Sequence, residues 1–243
     1  MPHQSPVLPR PKVLFFGDPH GDFHPVVRSV EQHRPEAIVL LGDIQARHPL
    51  QLELAEILDQ TSVWFIHGNH DTDSASDHDN LFLSSLAERN LHGRVVEVAG
   101  LRIAGLGGVF RESIWAPPLA PAFHSIAERL RAIRPDERWR GGLPLRHRST
   151  IFPDVFDRLT RQRADVLVTH EAFGGHPHGW PILDDLATSM GVQIAVHGHL
   201  HRDIDYLAEG RLPCLARHVA YGVAQGAFLA WPRPAPQLTR VLA

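Results

Sequence analysis

The feature that most constrains this chain is a recurrence: five short apolar runs, each closed at once by a group able to bind a metal ion or a proton. Lys12 to Gly17 (KVLFFG) leads into Asp18-Pro19-His20-Gly21, Ala37 to Gly42 (AIVLLG) into Asp43, and Ser62 to Gly68 (SVWFIHG) into Asn69-His70-Asp71. Asp165 to Thr169 leads into His170, and Val192 to Val196 into His197-Gly198-His199-Leu200-His201. Short apolar runs bounded by turn signals read as buried strands. In open α/β sheets ligands collect outside the carboxyl ends of the strands, so residues distant in sequence converge there. Taken singly each group has an ordinary explanation, since an Asp after a strand caps the next helix or closes a turn, and a His-Gly-His-Leu-His run can be a solvated turn. Five such groups at five strand ends point instead to one polar site.

The remaining pattern is mixed α/β. Pro49 to Gln60 carries leucines at helical spacing between the second and third strands, which makes a parallel crossover unit. Val95 to Val98 and Leu101 to Leu106 flank Ala99-Gly100, a tight hairpin turn. Helices are expected over Ile151 to Gln162 and Trp180 to Met190, with β-like pieces around Arg217 to Tyr221 and Ala227 to Trp231. Between them the alternation breaks into a proline-rich stretch, a helical piece near His124 to Ile133 and an arginine-rich loop. That segment reads as an insertion over one rim, because loops this long are uncommon unless functional or mobile. The expected organisation is a frayed tail over 1–10 and a single domain over 11–243, with the insertion at about 109–150.

Composition then narrows the chemistry. A chain of 243 residues buries one sizeable core. It has no apolar run near the ~20 residues that a membrane-spanning helix needs, and its start does not read as a signal peptide. A net charge of -3 argues against an extended surface for duplex nucleic acid. Cys214 is the only cysteine, so there is no internal disulfide or thiolate cage; this suits a reducing cytoplasm and leaves nitrogen and oxygen as metal ligands. The 18 histidines are the unusual number, and histidine is the commonest metal ligand at neutral pH.

Asp18-Pro19-His20, Gly42-Asp43, Gly68-Asn69-His70-Asp71, His170 and Gly198-His199-Leu200-His201, in that order, resemble the five signature blocks of the calcineurin-like metallophosphoesterase superfamily, over residues 17 to 201. The resemblance implies an α/β fold in which a two-sheet β-sandwich is flanked by helices and two metals sit at one edge of the sandwich. It further implies that Asp18, His20 and His201 hold one metal, that Asn69, His170 and His199 hold the other, and that Asp43 bridges them. A bridging carboxylate suits cations ~3.5–4 Å apart, the separation that clamps an in-line displacement. The mixed imidazole, carboxylate and amide set favours divalent or trivalent manganese, iron or zinc over calcium, with manganese placed first. A hydroxide shared by the two cations would attack phosphorus directly. His70 resembles the family's catalytic histidine and would protonate the leaving oxygen, with Asp71 hydrogen-bonding its ring.

Departures from subfamily patterns bear on the substrate. Ile44-Gln45-Ala46-Arg47-His48 stands where Ser/Thr protein phosphatases carry Asp-Arg-Gly, and those relatives lack a Gly-His-x-His block, so the protein phosphatase reading is the alternative and not the choice. The Gly-Leu-Gly-Gly stretch at Gly105 to Gly108 is similar to that of a bacterial branch of the superfamily. It leads to Arg111 and Trp115, a cation for a phosphate oxygen and a ring for a base or aryl group, each of which has a plain packing alternative. His176-Pro177-His178 could line the rim beside His170. The expected substrate is a small phosphomonoester, phosphodiester or nucleotide. A non-catalytic metal-binding scaffold of the same fold is the other class, and the sequence sets no oligomeric state.

Overall fold

The computed structural model describes residues 11–212 and 218–232; the tail expected over 1–10, Cys214 and Arg217 lie outside them. In chain order the elements are β1 (Val13–Phe16), α1 (His24–His33), β2 (Ala37–Leu40), α2 (Leu50–Glu53), β3 (Ser62–Phe65), α3 (Ala75–Phe82), β4 (Arg94–Val98), β5 (Leu101–Leu106), α4 (Ile126–Ala132), α5 (Pro153–Thr160), β6 (Val166–Thr169), α6 (Pro181–Met190), β7 (Ile194–His197), β8 (Ile204–Asp205), β9 (Val219–Gly222) and β10 (Phe228–Trp231).

The strands form two sheets. One is four-stranded in the order β10-β1-β2-β3, the other six-stranded in the order β4-β5-β6-β7-β9-β8. β1, β2 and β3 run parallel, as do β5, β6, β7 and β9, while β10, β4 and β8 are antiparallel additions at or beside the edges. Alternation along each strand decides what lies on either side. Val13, Phe15, Ala37 and Val39 face inward and meet Ile103, Val166, Val168, Ile194 and Val196 of the other sheet. Leu14, Phe16, Ile38 and Leu40 face outward and are covered by Val26 and Val30 of α1, Leu50 of α2 and Leu81 of α3. The second sheet's outer face, including Ala104, Leu167 and Ala195, is covered by Phe156 and Leu159 of α5 and Leu183 and Leu186 of α6. The result is a sandwich of two sheets flanked by helices, and coverage on both faces is why the parallel strands read as continuous apolar runs.

The Ala99-Gly100 turn has positive φ at both residues, 51° and 73°, as a tight hairpin connection requires. The helix expected through Gln60 ends after Glu53 and continues as a 3₁₀ turn over Ala55–Ile57. Leu50, Leu54 and Ile57 are buried across that break. They keep i, i+4, i+7 spacing, so the apolar pattern does not distinguish a continuous helix from a helix followed by a tighter turn. α1 and α3 are additions to the sequence reading. Each buries only two residues, Val26 and Val30 in one, His78 and Leu81 in the other, and α3 is announced chiefly by Ser74, whose hydroxyl caps the Asp77 amide.

Candidate metal centre

The parallel strands deliver the expected groups to one edge of the sandwich. Asp18 follows β1, Asp43 follows β2, Asn69 and His70 follow β3, His170 follows β6, and His199 and His201 follow β7. Asp18, His20, Asp43, His199 and His201 all have positive φ, between 33° and 68°. Non-glycine residues rarely adopt this conformation, and such strain persists only where the surroundings over-determine it, typically at functional sites. Glycine supplies the room. A Cβ on Gly68 would run into Asp43 Oδ1 and His170, and Gly42, at φ 100°, lies against the His170 ring.

Ligand atoms gather in two groups of three, and both contain Asp43. One is His20, Asp43 and His201; the other is Asp43, His170 and His199, with the ligand atoms of each group within 4.8 Å of one another. Asn69 joins the second, its Oδ1 3.2 Å from His170 Nε2. Asp18 belongs to neither group; its two oxygens accept the His199 amide at 3.0 and 2.8 Å, and its Oδ1 is 3.7 Å from His170 Nδ1.

The ring nitrogens are oriented as metal ligands are. His20 Nδ1 donates to Gln45 Oε1 at 2.6 Å, which turns the Nε2 lone pair toward His201 Nε2, 3.0 Å away. His170 Nδ1 donates to the Leu41 carbonyl at 2.8 Å and presents Nε2 to Asp43 Oδ2 at 3.4 Å. An outer hydrogen bond of this kind fixes the tautomer and the ring orientation of a ligating histidine. Burial disfavours charge on His170, yet Asp43 and Asp18 outweigh it and raise its pKa to about 10. Burial likewise works against ionisation of Asp43, but His170 wins and holds its carboxyl below the usual range. Burial leaves Asp18 raised, and burial with neighbouring His170 lowers His199 to about 4. Two buried carboxylates thus share compensation from one protonated ring, and a cation at His170 Nε2 would replace that proton. The donor set is one that could hold metal ions, with Asp43 common to both groups.

His70 stands beside these groups. Its ring centroid is 5.7 Å from that of His20, and its amide donates to Asp43 Oδ1 at 2.8 Å. Its ring partner corrects the sequence reading: Nδ1 donates to Asp73 Oδ2 at 2.5 Å, not to Asp71. Asp71 is fully buried, with Oδ1 accepting the Ile44 and Gln45 amides and Oδ2 the Gly68 amide, each at 2.8 Å. Three converging backbone donors, and not proximity in sequence, decide where that carboxylate points.

Arg111 is half-buried, donates to Ser149 Oγ at 3.3 Å, and keeps its buried Nε without a partner among the described residues. Burial and neighbouring Arg146 lower its pKa, while the charges of Asp73 and Glu171 act in the opposite direction. Trp115 is not a substrate platform. It is 8% exposed and packs edge-on against Phe110 and Phe156 in the core behind the second sheet. His176 and His178 line a pocket of about 390 Å³ with Leu200, Arg202 and Arg211. Arg146 is exposed, while Arg148 donates to His78 Nε2 at 3.1 Å.

Sequence reasoning passed over Asp73, Gln45 and Glu171. Glu171 Oε2 lies 3.9 Å from His199 Nε2, and its Oε1 accepts the Phe110 amide. The available signals were adjacency to His170 for Glu171 and to the Gly42-Asp43 turn for Gln45.

The fold and this site define a metal-dependent phosphoesterase class, and the chain belongs to the calcineurin-like phosphoesterase family, whose profile matches residues 11–203. An uncharacterized protein of Haemophilus influenzae is 43% identical over 194 residues, covering 80% of this chain and 85% of that protein. Among solved structures, TT1561 of Thermus thermophilus aligns with a TM-score of 0.55 over 90% of this chain and 91% of that one. At 13% identity that likeness speaks to the fold alone.

Proposed function

We propose that this chain is a dinuclear phosphoesterase that hydrolyses a small phosphoester or nucleotide. The observation that carries the reading is Asp43, the one carboxylate common to both groups of ligand atoms. In this reading Asp18, His20 and His201 hold one metal, Asn69, His170 and His199 the other, and Asp43 both. Manganese is the favoured pair, with iron or zinc as alternatives. When bound, such ions neutralise phosphoryl oxygens and lower the pKa of water.

The chain's own residues supply the rest. His70 gives the Nε2 proton to the leaving oxygen. Burial opposes its charge, but the Asp73 hydrogen bond and the Asp43 charge outweigh burial and raise its pKa, as a general acid near neutral pH requires. Asp73 holds the ring through Nδ1. Asp71 pins the amides of Ile44, Gln45 and Gly68 and so fixes the two turns that carry Asp43 and Asn69. Arg111 offers its guanidinium to a phosphate oxygen.

The test is hydrolysis of bis(4-nitrophenyl) phosphate and 4-nitrophenyl phosphate by the full chain with added Mn²⁺. Turnover that disappears on chelation and returns with metal supports the enzyme, and the ratio of the two rates divides diesterase from monoesterase. Stoichiometric metal binding without turnover on either ester would make the chain a scaffold.

A further inference from the structure

The strand β7 ends on His197, directly before the loop that carries His199 and His201. Alternation along the strand puts its side chain on the same face as Ala195, in the layer behind the second sheet, while Val196 points to the centre of the sandwich. There the ring is fully buried, with its centroid 5.6 Å from that of Tyr206 and 6.0 Å from that of Phe173. A polar ring in an apolar layer is tolerated where its nitrogens are paired.

Both nitrogens of His197 are paired, and the pairing fixes where the proton sits. Nδ1 lies 2.7 Å from the Gly198 carbonyl, which can only accept, so Nδ1 carries the hydrogen. Burial disfavours a second proton on the ring, so Nε2 keeps its lone pair and accepts the Tyr206 hydroxyl at 2.9 Å. Gly222 leaves room for this edge of the ring: a Cβ there would stand 3.0 Å from His197 Nε2.

The Gly198 carbonyl belongs to the peptide whose other end is the His199 amide. That amide donates to both oxygens of Asp18, at 3.0 and 2.8 Å. One peptide is therefore gripped from two sides, its oxygen by His197 and its N–H by Asp18. The Leu200 amide adds a third bond, to the same Gly198 oxygen at 2.8 Å, and closes a tight turn. The approach is close, since a Cβ on Gly198 would lie 2.7 Å from Asp18 Oδ1 and 3.1 Å from the Leu41 carbonyl oxygen. His199 leaves this peptide with φ 68°, a conformation that a non-glycine residue keeps only where its surroundings impose it. Its ring then stands beside that of His170, with centroids 4.7 Å apart.

We propose that His197 is a positioning residue for metal binding: with its tautomer set by Tyr206, it holds the Gly198-His199 peptide so that His199 meets the ion also held by Asn69 and His170. The inference rests on the ligand assignment proposed above. Equilibrium dialysis of the full chain against Mn²⁺, read by metal analysis, tests it. His197→Leu removes the donor and should weaken an Mn²⁺-binding step about tenfold or more, the usual scale for losing an outer partner of a metal site. His197→Asn places an amide nitrogen near the position of Nδ1 and should recover most of that loss. Tyr206→Phe keeps the ring packing, removes only the hydroxyl, and should weaken the same step about threefold, the lower end of one hydrogen bond's worth. A parent that bound two ions but hydrolysed no ester would overturn the hydrolase reading and not this inference, whereas a parent that bound no Mn²⁺ would overturn both. Parent-like Mn²⁺ binding in His197→Leu or in Tyr206→Phe, or an equal loss in His197→Leu and His197→Asn, would overturn the role of His197 alone.

Discussion

Asp71→Asn separates two roles for the acid that follows His70. The carboxylate takes three backbone amides, Ile44 and Gln45 on Oδ1 and Gly68 on Oδ2, all at 2.8 Å and buried. An asparagine in the same pose keeps its oxygen on the first two and turns an NH₂ against the Gly68 N–H. The loss is one hydrogen bond to a charged group, ~1.5–3 kcal/mol, together with a buried donor left unmatched. Against this, burial and the Asp43 charge push the Asp71 carboxyl up to about 7, so the charge removed is already disfavoured. The net expectation is the lower part of the range, ~2 kcal/mol, or a fall in Tm of roughly 4–8 °C for a chain of this size. Thermal unfolding of metal-loaded and chelated protein measures it, alongside rates on alkyl and aryl phosphates. The variant should lose stability without a selective loss on alkyl esters. An unchanged Tm with slowed alkyl-ester hydrolysis would refute the reasoning and return Asp71 to the His70 ring.

The remaining predictions concern proton transfer and substrate. His70→Ala should retain its metals, by metal analysis, and slow alkyl phosphate hydrolysis by ~10²–10⁴-fold, with a much smaller loss on 4-nitrophenyl phosphate, whose leaving group is already stable. Asp73→Asn removes the group that raises the His70 pKa, so the donating proton is lost at lower pH; the alkaline fall in alkyl-ester rate should move to lower pH than in the parent, while the aryl-ester profile stays in place. Arg111→Gln should raise KM for a phosphomonoester about tenfold or more, the worth of one charge-assisted bond, with metal content unchanged.

Much of this molecule is legible along the chain because its parallel strands are covered on both faces: VLFF at 13–16 and AIVL at 37–40 are wholly buried and read as strands without ambiguity. The candidate ligands are legible for a related reason, since each stands in the segment just after a parallel strand. What escapes is whatever depends on partners brought together only in space. Asp71 and Asp73 are both near His70 in sequence, and only the position of the Ile44, Gln45 and Gly68 amides decides which carboxylate is free to meet the ring. Trp115 sits in a proline-rich stretch that reads as a surface loop, yet Phe110 and Phe156 draw it into the core. α3 (ASDHDNLF) is too polar to announce a helix by its apolar face.

The central claim is that one carboxylate holds two metals. Asp43→Asn removes the single charge that the His20/His201 and His170/His199 groups share. Metal analysis of the purified variant, dialysed against limiting Mn²⁺ beside the parent, reads that claim directly. The account predicts that occupancy falls at both sites together and that hydrolysis is nearly abolished. A variant that retained two ions per chain and near-parent turnover would contradict the bridge.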